Sequence, residues 1–470
     1  MARHQVMSWA PVRVRLAVLA VAVAAVPIAM AAGPPAAAQD ADATYLLFSG
    51  EGNRLNVYDV TDLSAESIPK QTLIKSGNEG EVDFNAQVCF DPANPVHFIG
   101  GEDTDQPDPP AGWGYFELGG TRVGELTWQQ QGRFTPTYQP TLVSQPENYG
   151  CFFRDDNSMF TTDIGDQFPG LAGTGQLILW FPPFEGRGVL GSFGPFGTEE
   201  IDHCKIVTDI PTPGGIFVDD QDRVYITSNR PGPGFPDPTT GLDEPFGAVH
   251  RYSGDWPTSG DADGGCGRTD GTGAPLVDEG RITRETFITP DQLLLAVDVE
   301  ALPLVLQPLA ATPSAIWPTG NDTFYVSSVF TGVIAEFDQD GQYLRTIMQP
   351  SADEYLALPP YPSTGTPYGI VVDDRGTIFY ADLGVETGPP PGPADGAGSV
   401  RFITFDESGD PNPPTIIEDG LAFPDGVGLI RFEGAADHGP DDEMPSTGGG
   451  LAAGVLIVGV ALRVVSRRRS

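Results

Sequence analysis

Apolar residues fall along this chain in short runs that come in pairs, each pair joined by a tight turn of Asp, Asn and Gly. The clearest case is TPYGIVVDDRGTIFYAD, Thr366 to Asp382. It reads as an apolar strand (Gly369 to Val372), a turn (Asp373 to Gly376) and a second strand (Thr377 to Ala381). Such turns need side-chain caps and positive φ, which Asp and Gly supply. A Gly/Pro-rich insert follows, then a third strand, GSVRFITF (Gly398 to Phe405).

The unit repeats. TPGGIFVDDQDRVYITSN (Thr212 to Asn229) leads through an insert to GAVHRYS (Gly247 to Ser253). TPSAIWPTGNDTFYVSSV (Thr312 to Val329) leads almost directly to GVIAEFDQDGQYLRTIM (Gly332 to Met348), where Asp338 to Gly341 is a hairpin turn. NYGCFFRDDNSMFTTD (Asn148 to Asp163) precedes QLILWF, and NAQVCFDPANPVHFIGGE (Asn85 to Glu102) precedes GWGYFEL. FPDGVGLIRF (Phe423 to Phe432) supplies only a first strand, and TYLLFSGEGNRLNVYDV (Thr44 to Val60) only later ones. The two halves complete one unit, giving five whole units and one split between the termini. A sheet of this size cannot bury both faces alone, so the units must stack. Radial stacking makes an all-β, six-bladed β-propeller spanning residues 39–432, closed by pairing the terminal strands, which hides both edges. The competing arrangement is an open sandwich array.

The phrases PYGIVVDDRGTIFYAD and IAEFDQDGQYLRTI resemble NHL-repeat propellers and the wider six-bladed group that includes gluconolactonase-like hydrolases. The resemblance covers Thr44 to Phe432 as architecture and is sharp in the units beginning at Thr212, Thr312 and Thr366. The hydrolases carry an acidic residue and two asparagines or aspartates in the channel. Glu147, Asn148 and Asp425 match in part, while the P-N-G phrase typical of those enzymes is missing.

Both ends of the chain read as export signals. Residues 1–38 combine Arg3, Arg13 and Arg15, an apolar run from Leu16 to Ala32, and the small residues Ala36 to Ala38. That is a secretion signal, with an uncleaved anchor as the alternative. At the other end, a polar tether (433–443) leads to Met444-Pro445-Ser446-Thr447-Gly448, an apolar run from Leu451 to Val465, and Arg467 to Arg469. Residues 444–470 resemble the cell-wall sorting signal of Gram-positive surface proteins, with Met444 where Leu is usual. The resemblance implies sortase cleavage between Thr447 and Gly448; the other reading is a plain membrane tail. Either reading places the propeller outside the cell of a Gram-positive-type bacterium, touching membrane only through this tail.

The terminal segments hold seven arginines and no acid, so removing them takes the net charge from −39 to −46. Such a field disfavours nucleic acid as a partner and leaves an extracellular ligand or protein, besides the sortase. Four cysteines in an exported chain imply two disulfides. Three pairings are open. Cys89 and Cys151 fall in first strands of neighbouring units, and Cys204 and Cys266 in connections around the third, which favours 89–151 and 204–266.

In a propeller, the loop after the second strand and the link between blades share one face. Inserts 102–111, 164–175, 230–246 and 384–397 follow second strands, and 182–211 and 254–311 are expected as loops between blades, so one face is expected to be elaborated and the other plain. Within the last segment, Gln292 to Leu309 fits either a short helix begun by Thr289-Pro290 or an outer strand. The channel mouth on the elaborated face is lined by Asn85, Glu147, Asn148 and Asp425, oxygen donors of the kind that hold Ca²⁺. Second-strand ends add a ligand-binding set: Glu102, Asp163, Asn229, Ser328 and Asp382. Asp261 to Gly264 opens like a calcium loop, but Thr272 stands where its closing Glu is needed, so it reads as a turn. No nucleophile elbow is present. Two functions follow: a surface-anchored binding module with no catalytic residue, or a metal-dependent hydrolase or lyase of the lactonase kind at the channel mouth.

Overall fold

A computed structural model gives the fold. It describes residues 43–432, apart from 53, 75–82, 85, 92–93, 104–111, 135–147, 165–174, 188–200, 230–246, 261–265, 267–273, 305, 357–366, 387–391 and 394–395. The signal, tether and sorting segments lie outside the described residues, as do Asn85, Glu147, Thr366, Asp261 and Thr272. Among the described residues no helix is long and apolar enough to cross a membrane.

Six antiparallel blades form a ring, a six-bladed β-propeller. Blade 1 joins Val427–Phe432 to Thr44–Glu51, Arg54–Asp59 and Lys70–Ile74, so the C-terminal strand is the innermost. Blade 2 uses Asp83–Phe84 with Cys89–Phe90, then His97–Asp103, Gly112–Gly119 and Thr127–Phe134. Its inner strand is broken where Ala86 takes φ 100°. Blade 3 is Asn148–Phe153, Met159–Asp163, Gly175–Trp180 and His203–Ile210. Blade 4 is Pro213–Val218, Val224–Ser228, Ala248–Gly254 and Ile282–Ile288. Blade 5 is Pro313–Pro318, Phe324–Ser328, Val333–Phe337 and Tyr343–Met348. Blade 6 is Pro367–Val372, Ile378–Asp382, Gly398–Ile403 and Thr415–Leu421, with a small hairpin of Val385–Glu386 and Gly392–Pro393 inside its insert. Each inner strand touches the next, and blade 6 touches blade 1, closing the circle.

The turn chemistry is consistent around the ring. Asn157, Asp222, Asp322 and Gly376 occupy the same position of the first turn in blades 3 to 6, all at positive φ. Asn, Asp and Gly tolerate that conformation best. In blade 6 the Asp373 carboxylate accepts the N–H of Arg375 at 3.0 Å and of Thr377 at 2.8 Å, closing the turn.

The core lies between blades rather than in one mass. One large apolar cluster fills each of the six seams. Successive side chains of one strand therefore serve opposite seams: Tyr225 packs toward blade 5 and Ile226 toward blade 3. That explains why second strands such as Met159–Asp163, Val224–Ser228 and Phe324–Ser328 are buried at every position, with no exposed alternate face. Inner strands approach closely; a Cβ on Gly214 would collide with the Thr227 hydroxyl and Ser314 carbonyl of its neighbours.

Two expectations change. Segments 182–211 and 254–311 are not simply links, because each contains the outer strand of its own blade, His203–Ile210 and Ile282–Ile288. Strands alternate in direction, so the described residues that join third to outer strands, 181–187 with 201–202 and 255–260 with 266 and 274–281, lie on the face opposite the ends of the second strands. The lower face is therefore not plain, and of the described residues in these two segments it is the link from Thr289 onward that belongs to the upper face. In that link Pro290–Leu295 is a helix capped by the Thr289 hydroxyl, and Gln307–Leu309 a 3₁₀ turn. The outer-strand alternative fails because Ile282–Ile288 already fills the outer edge of blade 4, and the segment instead meets blade 5, where the Tyr343 N–H bonds the Gln292 side chain at 2.8 Å.

Both disulfides pair as favoured: Cys89–Cys151 and Cys204–Cys266, with Cα separations of 6.0 and 5.7 Å. The first joins the inner strands of blades 2 and 3. The second joins the outer strand of blade 3 to the lower connection of blade 4.

Candidate functional site: the upper channel mouth

Inner strands start, and second strands end, at the upper mouth. The register places Asn148 opposite Asp163, Pro213 opposite Ser228, Pro313 opposite Ser328 and Pro367 opposite Asp382, one equivalent rung in four blades. Asn229 lies one residue past its rung and donates its N–H to Thr212 O at 2.8 Å. Glu102 pairs with Phe84 through the backbone. Glu51 ends the second strand of blade 1 and is a member of this set that the sequence reading missed. The signal was available: SGE at Ser49 to Glu51 parallels GGE at Gly100 to Glu102.

The polar rung side chains are hydrogen-bonded within their blades or to the next. The Asn148 amide donates to Gly112 O of blade 2. Asp163 accepts from Gln176 Nε2 at 3.3 Å. Ser228 donates to Pro211 O at 2.6 Å. Ser328 receives the Thr331 hydroxyl at 2.8 Å and lies 3.3 Å from that of Thr312. Asp382 accepts the Gly384 N–H at 3.2 Å and faces Arg401 Nε at 3.8 Å, both side chains buried. Glu51 accepts from the Ala422 N–H and from Asn56 Nδ2, each at 3.0 Å. One residue earlier, hydroxyls reach across seams: Thr162 to Gly214 O and Thr227 to Ser314 O at 2.9 Å, Ser327 to Tyr368 O at 3.2 Å. Blade 6 has Ala381 at that place.

The mouth itself holds aromatic rings. Tyr149 of blade 3 and Tyr368 of blade 6 come from opposite sides of the ring, yet their centroids are 4.0 Å apart at 61°. The two side chains meet edge to face across the channel. Val329, Leu383 and Phe330 pack beside Tyr368, forming an apolar collar at the first residues past the second strands of blades 5 and 6. Burial raises the Tyr149 pKa well above the phenol range, reinforced by Tyr368 and the Asp425 carboxylate. Its hydroxyl stays protonated at any working pH and has no hydrogen-bond partner among the described residues. Asp425 is buried at the same mouth, and its backbone carbonyl takes the Gly369 N–H at 3.0 Å.

Asn148 and Asp425 are the two members of the proposed calcium set among the described residues. Within those residues no three His, Cys, Asp or Glu side chains cluster as a metal site would.

No protein-family model matches the chain, and no curated protein matches its sequence. Solved structures match its shape. A crystal structure of a nidogen/laminin complex is similar at 9% identity and TM-score 0.41, over 82% of this chain and 98% of the other. The periplasmic gluconolactonase of Pseudomonas aeruginosa is similar at 11% identity and TM-score 0.41, over 82% and 99%. A 6-phosphogluconolactonase-type protein of Bacteroides fragilis gives 11% and 0.39, over 83% and 98%. A protein-binding complex and lactonases stand equally far from this chain, so the likeness concerns the fold and carries no argument about chemistry.

Proposed function

We propose that this protein is a secreted propeller held at the surface of a Gram-positive-type bacterium, where it serves as a binding module. Its upper face, around the closed mouth, meets an extracellular ligand or protein. The observation that carries this reading is the Tyr149–Tyr368 contact across the channel. A mouth filled by two aromatic rings presents a surface to a partner rather than a pocket to a small substrate. The second strands end at that surface, and loops on a rigid scaffold are where recognition usually resides. The disulfides suit an oxidising compartment outside the cytoplasm. The sortase reading of Thr447-Gly448 completes the picture, with the chain joined to the wall through Thr447.

The test is a binding screen of the purified chain against extracellular glycans and cell-envelope polymers, repeated with Phe330→Asp in the collar. Loss of affinity by about tenfold or more in the variant supports the upper face. A ligand indifferent to Phe330→Asp places recognition elsewhere. Mass spectrometry of wall-released protein checks the anchor: a C-terminal peptide ending at Thr447 supports sorting, and an intact Ser470 in a membrane extract means a plain tail.

A second reading, a metal-dependent hydrolase or lyase, is favoured by Asn148 and Asp425 flanking one mouth. Ca²⁺-dependent turnover of D-glucono-1,5-lactone above the spontaneous rate, abolished by Asp425→Asn, would put it first.

A further inference from the structure

A second polar cluster lies on the lower face, at the seam between blades 2 and 3. His97 opens the second strand of blade 2, its side chain 7% exposed. Its Nδ1 lies 2.8 Å from the Tyr115 hydroxyl, 3.1 Å from Asn94 Nδ2 and 3.5 Å from Glu185 Oε1. The Tyr115 hydroxyl is also 3.1 Å from Asp91 Oδ2. Glu117 lies opposite His97 in the ladder, and its charge acts on Tyr115 together with those of Asp91 and Glu185. Glu185 belongs to the connection 181–202 of blade 3. That loop docks on blade 2: Gly186 N–H bonds Gln131 O at 2.9 Å, Arg133 N–H bonds Arg187 O at 3.3 Å, and Phe184 packs on Tyr115 at 5.5 Å.

One nitrogen cannot serve all three neighbours in one protonation state. Neutral and unprotonated at Nδ1, it accepts from Asn94 Nδ2 and from the Tyr115 hydroxyl, and its lone pair faces the Glu185 carboxylate unfavourably. Protonated, Nδ1 donates toward Tyr115 O and pairs with Glu185, while the tyrosine turns its own proton to Asp91. Nothing but one proton is taken up, and the tyrosine proton changes acceptor. We propose that His97 is a pH-sensitive clasp: its protonation tightens the Glu185 loop of blade 3 onto blade 2, and its deprotonation loosens it.

The sign follows from the charges. The clasp is closed at low pH, where an imidazolium can pair with the carboxylate, and is lost as pH rises. An exposed carboxylate pairing with His⁺ contributes modestly, on the scale of a partly exposed ion pair. Hydrogen exchange of the Gly186 and Arg133 amides, corrected for the intrinsic pH effect, tests it on the full chain. Exchange is expected to be about two- to fivefold slower at pH 5 than at pH 8 in the wild type. It should be pH-independent in Glu185→Gln, whose exposed side chain is removable without loss of fold. Unchanged pH dependence in Glu185→Gln would assign the effect to another group, such as His203 at the end of the same connection, and overturn the proposal.

Discussion

The ring is held together differently on its two sides. Blades 2, 3 and 4 are chained covalently, by Cys89–Cys151 across one seam and Cys204–Cys266 across the next. The seam between blades 6 and 1, where the N-terminal strands meet the C-terminal half, carries polar side-chain links instead. Arg375 of blade 6 pairs with Asp373 at 2.6 Å, reaches Thr61 O and Val60 O at 2.9 and 3.1 Å, and lies 4.4 Å above the Tyr45 ring. Tyr45 donates to Asp374 at 2.7 Å, Tyr58 to Glu418 at 2.6 Å, and Lys70 pairs with Glu418 at 2.6 Å. A disulfide restricts the unfolded chain whatever the solvent; ion pairs and hydrogen bonds respond to salt, pH and side-chain loss. The comparison teaches that ring closure by terminal strands needs more than the ladder between Thr44–Glu51 and Val427–Phe432. Side chains from the neighbouring blade fasten the strands from outside.

The largest expected effect comes from the covalent side. Replacing Cys89 and Cys151 by Ala frees a 62-residue separation and should cost about 4 kcal/mol by the chain-entropy account, read as a lower midpoint in urea unfolding. An unchanged midpoint would mean that the inner strands of blades 2 and 3 are held by packing alone. On the closure side, Arg375→Ala leaves the fully buried Asp373 carboxylate without its cation, and burial already raises that carboxyl above its ordinary pKa. A loss of about 3 kcal/mol is expected, with amides of the outer strands Lys70–Ile74 and Thr415–Leu421 exchanging first. Equal deprotection of blade 3 would break the contrast between the two sides.

A control far from the 6–1 seam separates its effects from general acid sensitivity. Burial, with Arg284 adding to it, lowers the His250 pKa to about 4. The unfolded state therefore binds a proton that the folded state refuses between about pH 6.5 and 4. Stability from this group is full above about pH 6.5 and falls as pH drops, by at most about 3 kcal/mol at pH 4. His250→Gln should flatten that part of the stability curve; a curve of unchanged slope would assign the acid loss to the carboxylates of the 6–1 seam. The smallest effect is Lys70→Ala. Its pair with Glu418 is about 30% exposed on each side. The change should cost under about 1 kcal/mol and disappear in 1 M salt.

Much of this architecture was legible before any coordinates. The repeat of apolar pairs around Asp/Asn/Gly turns specifies the blades, because only those residues suit the turn at Asn157, Asp222, Asp322 and Gly376. The half-units at Thr44 and Phe423 specify how the ring closes, since a lone strand cannot leave its hydrogen-bonding edge open. Cysteine positions in neighbouring strands narrowed the pairing for the same local reason. What the sequence could not decide depends on counting strands and on the circle. Whether the chain leaves Trp180 and Gly254 on one face or the other follows from one outer strand apiece, His203–Ile210 and Ile282–Ile288, whose patterns are too mixed to stand out. The mouth was expected to be polar because rung residues such as Asn148, Asp163 and Asp382 are polar. Their side chains turned out to bond within and between blades. Tyr149 and Tyr368 fill the axis instead, 219 positions apart in the chain and half a ring apart in space. No local rule pairs such residues. They meet because six blades of nearly equal width bring the third and sixth inner strands to opposite sides of one narrow channel, and that radius is a property of the closed ring alone.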